Sequence, residues 1–406
     1  MHTRLLNHWL GLALLLAVPN PVPASAAAPL TPPVITTGPV LQCPMETSMT
    51  VTWITDRKTT AAVEYGPLQG TLKTAVASHH GLVDGNERTH KVTLENLEPG
   101  TVYRYRVISR EIVNLRHYRV DHGEAITNVF QEFRTLDRRK QGYDFLVFND
   151  VHGQATNIPN LLQAAGPKPY DFVIFNGDIL SFVTNETQIS AILNQAVASF
   201  ASTTALYWVR GNHETRGDLA PQLPAYLGLP GDRYYYSFDH GPVHFIVLDG
   251  GEDKIDEHRE YGGRADFFRY RREQGEWLKQ EVRSKAFRRS KYQVVICHMP
   301  FPSKQAADPK RTKEPGAFLG MPDAFEQFGA TLEKAGVDLM ISGHMHVPAI
   351  VPPERGRHSY PIVQGGGDKG TNRTIIRVAV DQAGLSANIL RVNGSSFGQC
   401  RVPTRR

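Results

Sequence analysis

Cysteine is scarce in this chain: Cys43, Cys297 and Cys400 are the three in 406 residues. That is too few for a scaffold held together by disulfides. Long apolar runs are also missing. The N-terminal one, Leu10 to Val18, is too short to span a bilayer, and no later run reaches that length. Charge of one sign is not concentrated either. Lys and Arg total 45 against 40 Asp and Glu, a formal charge of +5. This mild excess suits anionic substrates or an anionic cell surface and does not demand nucleic acid. No basic tract interleaved with aromatics is long enough for a nucleic-acid platform. The nearest, Phe267-Phe268-Arg269-Tyr270-Arg271-Arg272, reads as the solvated face of a helix beginning near Asp266. No internal repeat of solenoid period occurs. A hydrophobic content of 41% excludes a largely disordered chain, and the length allows two domains with proper cores.

The first residues read as a secretory signal, residues 1–26. Arg4 supplies the positive start, Leu10 to Val18 the apolar stretch, and Ala24-Ser25-Ala26 a small-residue cleavage site before Ala27. Its removal takes away Arg4 and leaves a charge of +4. The mature protein is expected to be secreted or periplasmic. In an oxidising compartment Cys43 and Cys400 are open to pairing, which would tie the C-terminal tail to the N-terminal domain. Cys297 reads as a small core residue.

Residues 28–138 carry period-2 runs, among them Met49 to Ile54, His90 to Leu94 and Val102 to Val107, with Gly and Pro between them. Several short strands with regular turn signals predict an all-β sandwich. With an inward Trp53 and the stretch Pro99-Gly100-Thr101-Val102-Tyr103, the segment resembles a fibronectin type III-like domain. His79, His80, His90, His117 and His122 form no ligand constellation and read as surface residues.

The remainder, residues 140–406, holds five short motifs in order: Asp150-Val151-His152, Gly177-Asp178, Gly211-Asn212-His213-Glu214, Cys297-His298-Met299-Pro300 and Gly343-His344-Met345-His346. Each contains residue types that bind divalent transition metals. Each follows an apolar run: Phe145 to Phe148, Phe172 to Phe175, Leu206 to Val209, Val294 to Cys297, and Val337 to Ile341. Such unbroken runs read as strands buried on both faces. Residues just beyond them lie along one edge of a sheet, where open α/β sheets place their ligands.

This ordered set closely resembles the calcineurin-like metallophosphoesterase superfamily over roughly residues 140 to 370. The resemblance implies an α/β catalytic domain, a two-sheet β-sandwich flanked by helices (αββα). It implies two metal ions, Fe, Mn or Zn. One would be held by Asp150, His152 and His346, the other by Asn212, His298 and His344, with Asp178 bridging. Such a pair would clamp and polarise a phosphoryl group and lower the pKa of a bridging water, giving the attacking hydroxide. A sandwich ahead of such a domain is the layout of the purple acid phosphatases. That family has a Tyr ligand three residues after the bridging Asp; here the position is Ser181, and the extra His152 stands in for the phenolate. No purple colour is therefore expected.

Asp178 and His213 are the catalytic candidates, His213 as the group that meets the leaving oxygen. Glu214 would orient His213 or a neighbouring loop. Arg210 and Asn212 are candidate substrate contacts, with a salt bridge as the rival role for Arg210. Lys304, Lys310 and Arg311 are further candidates in the loop after His298. Asp249, after the run Phe245 to Leu248, reads as part of an acidic turn. The whole reads as an exported hydrolase of phosphate mono- or diesters. A binding protein on an inactive version of the fold and a protein phosphatase are the rival readings.

Overall fold

Alternation along the central strands explains why they read as unbroken apolar runs. Phe145 and Val147 of strand Tyr143–Phe148 enter one core, while Leu146 and Phe148 enter another. The same split holds for strands Phe172–Asn176 and Leu206–Val209, which lie parallel to it and to each other. Both faces are covered, so the positions away from the strand ends are apolar. Strand Thr374–Asp381 pairs antiparallel with Tyr143–Phe148, and Gly384–Arg391 and Ser396–Pro403 continue the sheet.

A second sheet runs in the order Tyr236–His240, Val243–Leu248, Tyr292–Cys297, Leu339–Ser342, Ile362–Gln364 and Ala349–Val351. Its four middle strands are parallel. The two sheets face each other across a core that includes Phe172, Tyr207, Phe238 and Phe245. Helices Asn157–Ala165 and Glu186–Ala196 cover the outer face of the first sheet. Helices Phe267–Glu281, Lys285–Arg289 and Gly320–Ala335 cover that of the second. This is the expected four-layer helix–sheet–sheet–helix arrangement.

An all-β sandwich precedes it. Strands Ile35–Gln42, Met49–Thr60 and Gly85–Leu94 pair on one side. Strands Ala62–Pro67, Val102–Arg116, Arg119–Thr127 and Gln131–Arg134 pair on the other. Trp53 is buried between them, its indole N–H donating to Ser109. Tyr103 takes a hydrogen bond at its hydroxyl from the backbone N–H of Glu98, a tie typical of sandwich corners. His90 is a correction: it is buried, with Nε2 2.8 Å from Thr59 Oγ1 and 3.0 Å from Thr55 Oγ1. Strand Ile35–Gln42 also pairs with Leu206, so one backbone ladder joins sandwich and catalytic sheet. From Pro32 onward the chain is one compact unit.

This computed structural model describes residues 31–304 and 319–404. The secretory-signal expectation, Lys310 and Arg311 lie outside the described residues. Among those described, no helix is long and apolar enough to cross a membrane. Cys43 and Cys400 belong to the same buried core but are both free, so the bridge left open above is not formed. The Phe267 to Arg272 face is not simply solvated. Arg271 is fully buried, paired with Asp323 at 2.5 Å and donating to the carbonyls of Gly250 and Glu252.

Candidate metal centre

The carboxyl ends of the parallel strands of both sheets meet along one edge. Asp150, Asp178 and Asn212 follow strands of the first sheet; His298 and His344 follow strands of the second. Backbone hydrogen bonds weld the loops together. Asp150, His152 and Gly153 donate to the carbonyls of Gly177, Asp178 and Ile179. Gly343 donates to His298. The glycines in the motifs permit close approach. A Cβ at Gly177, whose φ is +78°, would sit 2.4 Å from the His298 ring, and one at Gly211 would sit 2.2 Å from Asp178 Oδ1.

Two groups of potential ligand atoms result, sharing Asp178. Asp150, His152, Asp178 and His346 converge in one, and Asp178, His298 and His344 in the other. In each group the ligand atoms lie within 4.8 Å of one another. Asn212 joins the second, its Oδ1 3.0 Å from His344 Nδ1. Asp150, Asp178, Asn212 and His298 are buried, whereas the His346 side chain is 47% exposed and forms the open rim.

Several features fit a cation. His298 Nδ1 lies 2.8 Å from the carbonyl of Asn176, which can only accept, so Nδ1 carries a proton. Its Nε2 then faces Asp178 Oδ2 at 3.1 Å and finds no hydrogen-bond partner. His152 Nε2 and His346 Nε2 approach to 2.9 Å, where at most one proton fits between them. Burial pushes His152 down to about 4 and His344 to about 3, holding both as neutral imidazoles, the form that ligates. Burial opposes a charge on His298 too, but Asp178 and Asp150 outweigh it and raise the imidazole to about 10. A proton there stands where a cation would compensate the same carboxylates. All donors are nitrogen or oxygen, with no thiolate.

The backbone is strained at the same residues. Asp150, His152, Asp178, His344 and His346 all have φ between 49° and 71°. Left-handed backbone costs about 1–2 kcal/mol per non-glycine residue. Such strain clusters where function over-determines geometry.

Glu214 is fully inside. Its Oε2 accepts from the N–H of Asp178 and Gly211, and Oε1 from that of Leu180, each at 2.9 Å. It therefore locks the Gly177-Asp178 loop to the Gly211-Asn212 loop. His213 is held by its Nδ1, 2.7 Å from the Ser181 carbonyl, which leaves Nε2 toward the cluster, 3.9 Å from Asp178 Oδ2. The Ser181 hydroxyl donates to the His152 carbonyl.

Arg210 does not line the cavities at the cluster. Its guanidinium is 2.6 Å from Asp249 and lies over the rings of Tyr234, Phe267 and Tyr270. The salt bridge, the rival role, is the one the geometry gives it. Asp249 is correspondingly no solvated turn but a fully buried carboxylate. Lys304 pairs with Glu354 and stays largely exposed. The sequence reading missed Arg216 and Lys254, which line the cluster beside Asp253 in a cavity of about 360 Å³. Arg216 is paired with both oxygens of Glu252, at 2.7 and 2.8 Å. The available signal was position: Arg216 is four residues past Asn212, and Lys254 follows another strand ending at the same edge. Asp368 and Lys369, beyond strand Ile362–Gln364, border the cluster on another side.

The site thus carries a dinuclear metal-binding arrangement typical of metal-dependent phosphoesterases, and comparison with known proteins agrees. A model of the calcineurin-like phosphoesterases matches residues 143–348, and one of the purple acid phosphatase N-terminal domain matches residues 38–123. The chain belongs to the calcineurin-like phosphoesterase family, with a purple acid phosphatase-like N-terminal domain. Probable purple acid phosphatase 20 of Arabidopsis thaliana is 24% identical over 73% of this chain and 65% of its own length. Human acid phosphatase type 7 is 30% identical over 49% of this chain and 45% of its own length. The chain thus spans less than two thirds of either relative. A purple acid phosphatase from yellow lupin seeds shares the fold, with TM-score 0.67 and 15% identity over 92% of this chain and 74% of that one. So does a structure of PhoD, with TM-score 0.60 and 12% identity over 94% of each chain.

Proposed function

We propose that this chain is an exported hydrolase of phosphate mono- or diesters working with two metal ions, drawn from Fe, Mn and Zn. The observation that carries the reading is the pair of ligand groups sharing Asp178 at the strand ends. Asp150, His152 and His346 would hold one ion, Asn212, His298 and His344 the other, and Asp178 both. When bound, the ions would polarise the phosphoryl group and supply an activated water. The protein's own groups complete the chemistry. Asp178, shared by both ligand groups, would hold the two ions close against their repulsion. His213, with Nδ1–H fixed on the Ser181 carbonyl, presents Nε2 to the cluster; as the imidazolium, with a proton on each nitrogen, it would give the Nε2 proton to the departing oxygen and be left neutral. Export rests on the signal-like N-terminus, and the acid phosphatase names of the relatives favour an ester substrate.

The test is metal content of the purified protein together with hydrolysis of mono- and bis-nitrophenyl phosphate, before and after chelation. About two ions per chain with chelator-sensitive turnover is the expected result, and the ratio of rates separates monoesterase from diesterase. Undiminished metal-dependent turnover in Asp178→Asn or His298→Ala would overturn it.

A further inference from the structure

Phe182 is 47% exposed, although it stands beside one of the most polar sites in the molecule. Its ring lies 5.6 Å from the His213 ring, centroid to centroid, at 42°. Its neighbour Ser181 holds the His213 Nδ1 through its carbonyl, so ring and imidazole keep a fixed relation. Phe182 also walls a cavity of about 630 Å³ that runs from His152 along helix Glu186–Ala196. Ala191 adds apolar surface there, and Asn185 and Gln188 bring side-chain amides.

The other openings at the cluster differ. One is lined by Arg216, Asp253 and Lys254, the other by Asp368 and Lys369. Among the described residues, these three openings are where an ester with its phosphoryl group on the cluster would send its organic part. Among the described residues, only the opening at Phe182 offers an exposed aromatic face. An exposed ring costs free energy in water and regains it when a flat group covers it. Its position next to His213 places that flat group on the leaving-group side.

Resting on the hydrolase reading above, we infer that Phe182 and its cavity form a leaving-group subsite for phosphate esters whose alcohol carries a flat aromatic ring. The oxygen of Gln188 is taken by Thr184, so its amide NH2 is the group that allows a ring with a polar edge as well as a plain one.

The probes are benzyl phosphate and propyl phosphate, and their methyl diesters. Both alcohols are alkyl leaving groups of similar reactivity, so the ratio of their kcat/KM values reports recognition of the ring. Stacking on an aromatic face predicts that Phe182→Ala lowers the benzyl-to-propyl ratio about tenfold. Phe182→Leu, which keeps apolar bulk, should lower it similarly, and Phe182→Tyr should restore it. A disturbance of His213 alone would slow both esters together and leave the ratio in place. A ratio within twofold of wild type in Phe182→Ala overturns the subsite. Wild-type protein that hydrolyses none of the four esters with metal bound removes the hydrolase reading, and the subsite with it.

Discussion

Removal of the Glu214 carboxylate should loosen the metal centre from behind. It accepts three backbone N–H groups at 2.9 Å, from Asp178, Gly211 and Leu180, with 1% of its surface exposed. Each buried donor left without a partner costs about 1–3 kcal/mol. Three such donors set an upper bound near 9 kcal/mol. Two effects reduce it: water can enter the space, and burial and repulsion from Asp178 already push Glu214 up to about 7. At pH 8, where the carboxylate is ionised, Glu214→Ala should therefore cost about 3–5 kcal/mol. Glu214→Gln keeps one oxygen for Asp178 and Gly211 but turns its NH2 toward the Leu180 N–H. One orphan donor predicts about 1–3 kcal/mol. Urea unfolding of the chelated proteins at pH 8 measures both. Because the same bonds set the position of Asp178, metal affinity should fall about 10–100-fold, read by competition with a chromogenic chelator. Both variants within about 0.5 kcal/mol of wild type, with unchanged metal affinity, would refute the reasoning.

Three further outcomes follow from the geometry. Burial lowers His90 from 6.5 to about 4. The unfolded chain then takes up a proton that the folded one refuses, so stability is lost as pH falls from about 6.5 to about 4. The loss attributable to His90 is about 3 kcal/mol in all. His90→Gln, with an amide for Thr55 and Thr59, should show a correspondingly smaller drop in urea midpoint between pH 7.5 and 4.5; an equal drop would count against it. Arg271→Met strands Asp323 and two carbonyls of the loop carrying Glu252, and should destabilise by about 3 kcal/mol in urea. A neutral result would mean that the pair merely balances its desolvation. Iron-loaded protein should show no visible phenolate charge-transfer band, since Ser181 stands at the tyrosine position and donates to the His152 carbonyl. A purple sample would sink this.

The local pattern of the chain was enough to place the strands, and the candidate ligand set followed from the family resemblance of the motifs beyond them. Strands such as Phe145 to Phe148 are apolar on both faces because each separates two cores, and that alone marks where they end. Asp150, Asp178, Asn212, His298 and His344 stand directly after them, so parallel strands bring them to one edge. The glycines of the motifs are equally local, since Gly177 and Gly211 remove the Cβ that would strike His298 or Asp178. Tertiary structure alone decided which charge meets which. Arg210 could have faced a phosphate or a carboxylate; Asp249, 39 residues later in sequence, settles it at 2.6 Å. His90 looked like a surface residue because nothing nearby in sequence announces Thr55 and Thr59 as its partners. Arg271 looked solvated because Asp323 lies on another helix. Burial depends on what packs from outside an element, and so does the partner of a long flexible side chain. The apolar period of a strand is written in the strand itself, but the counter-charge of a buried arginine is not written near it.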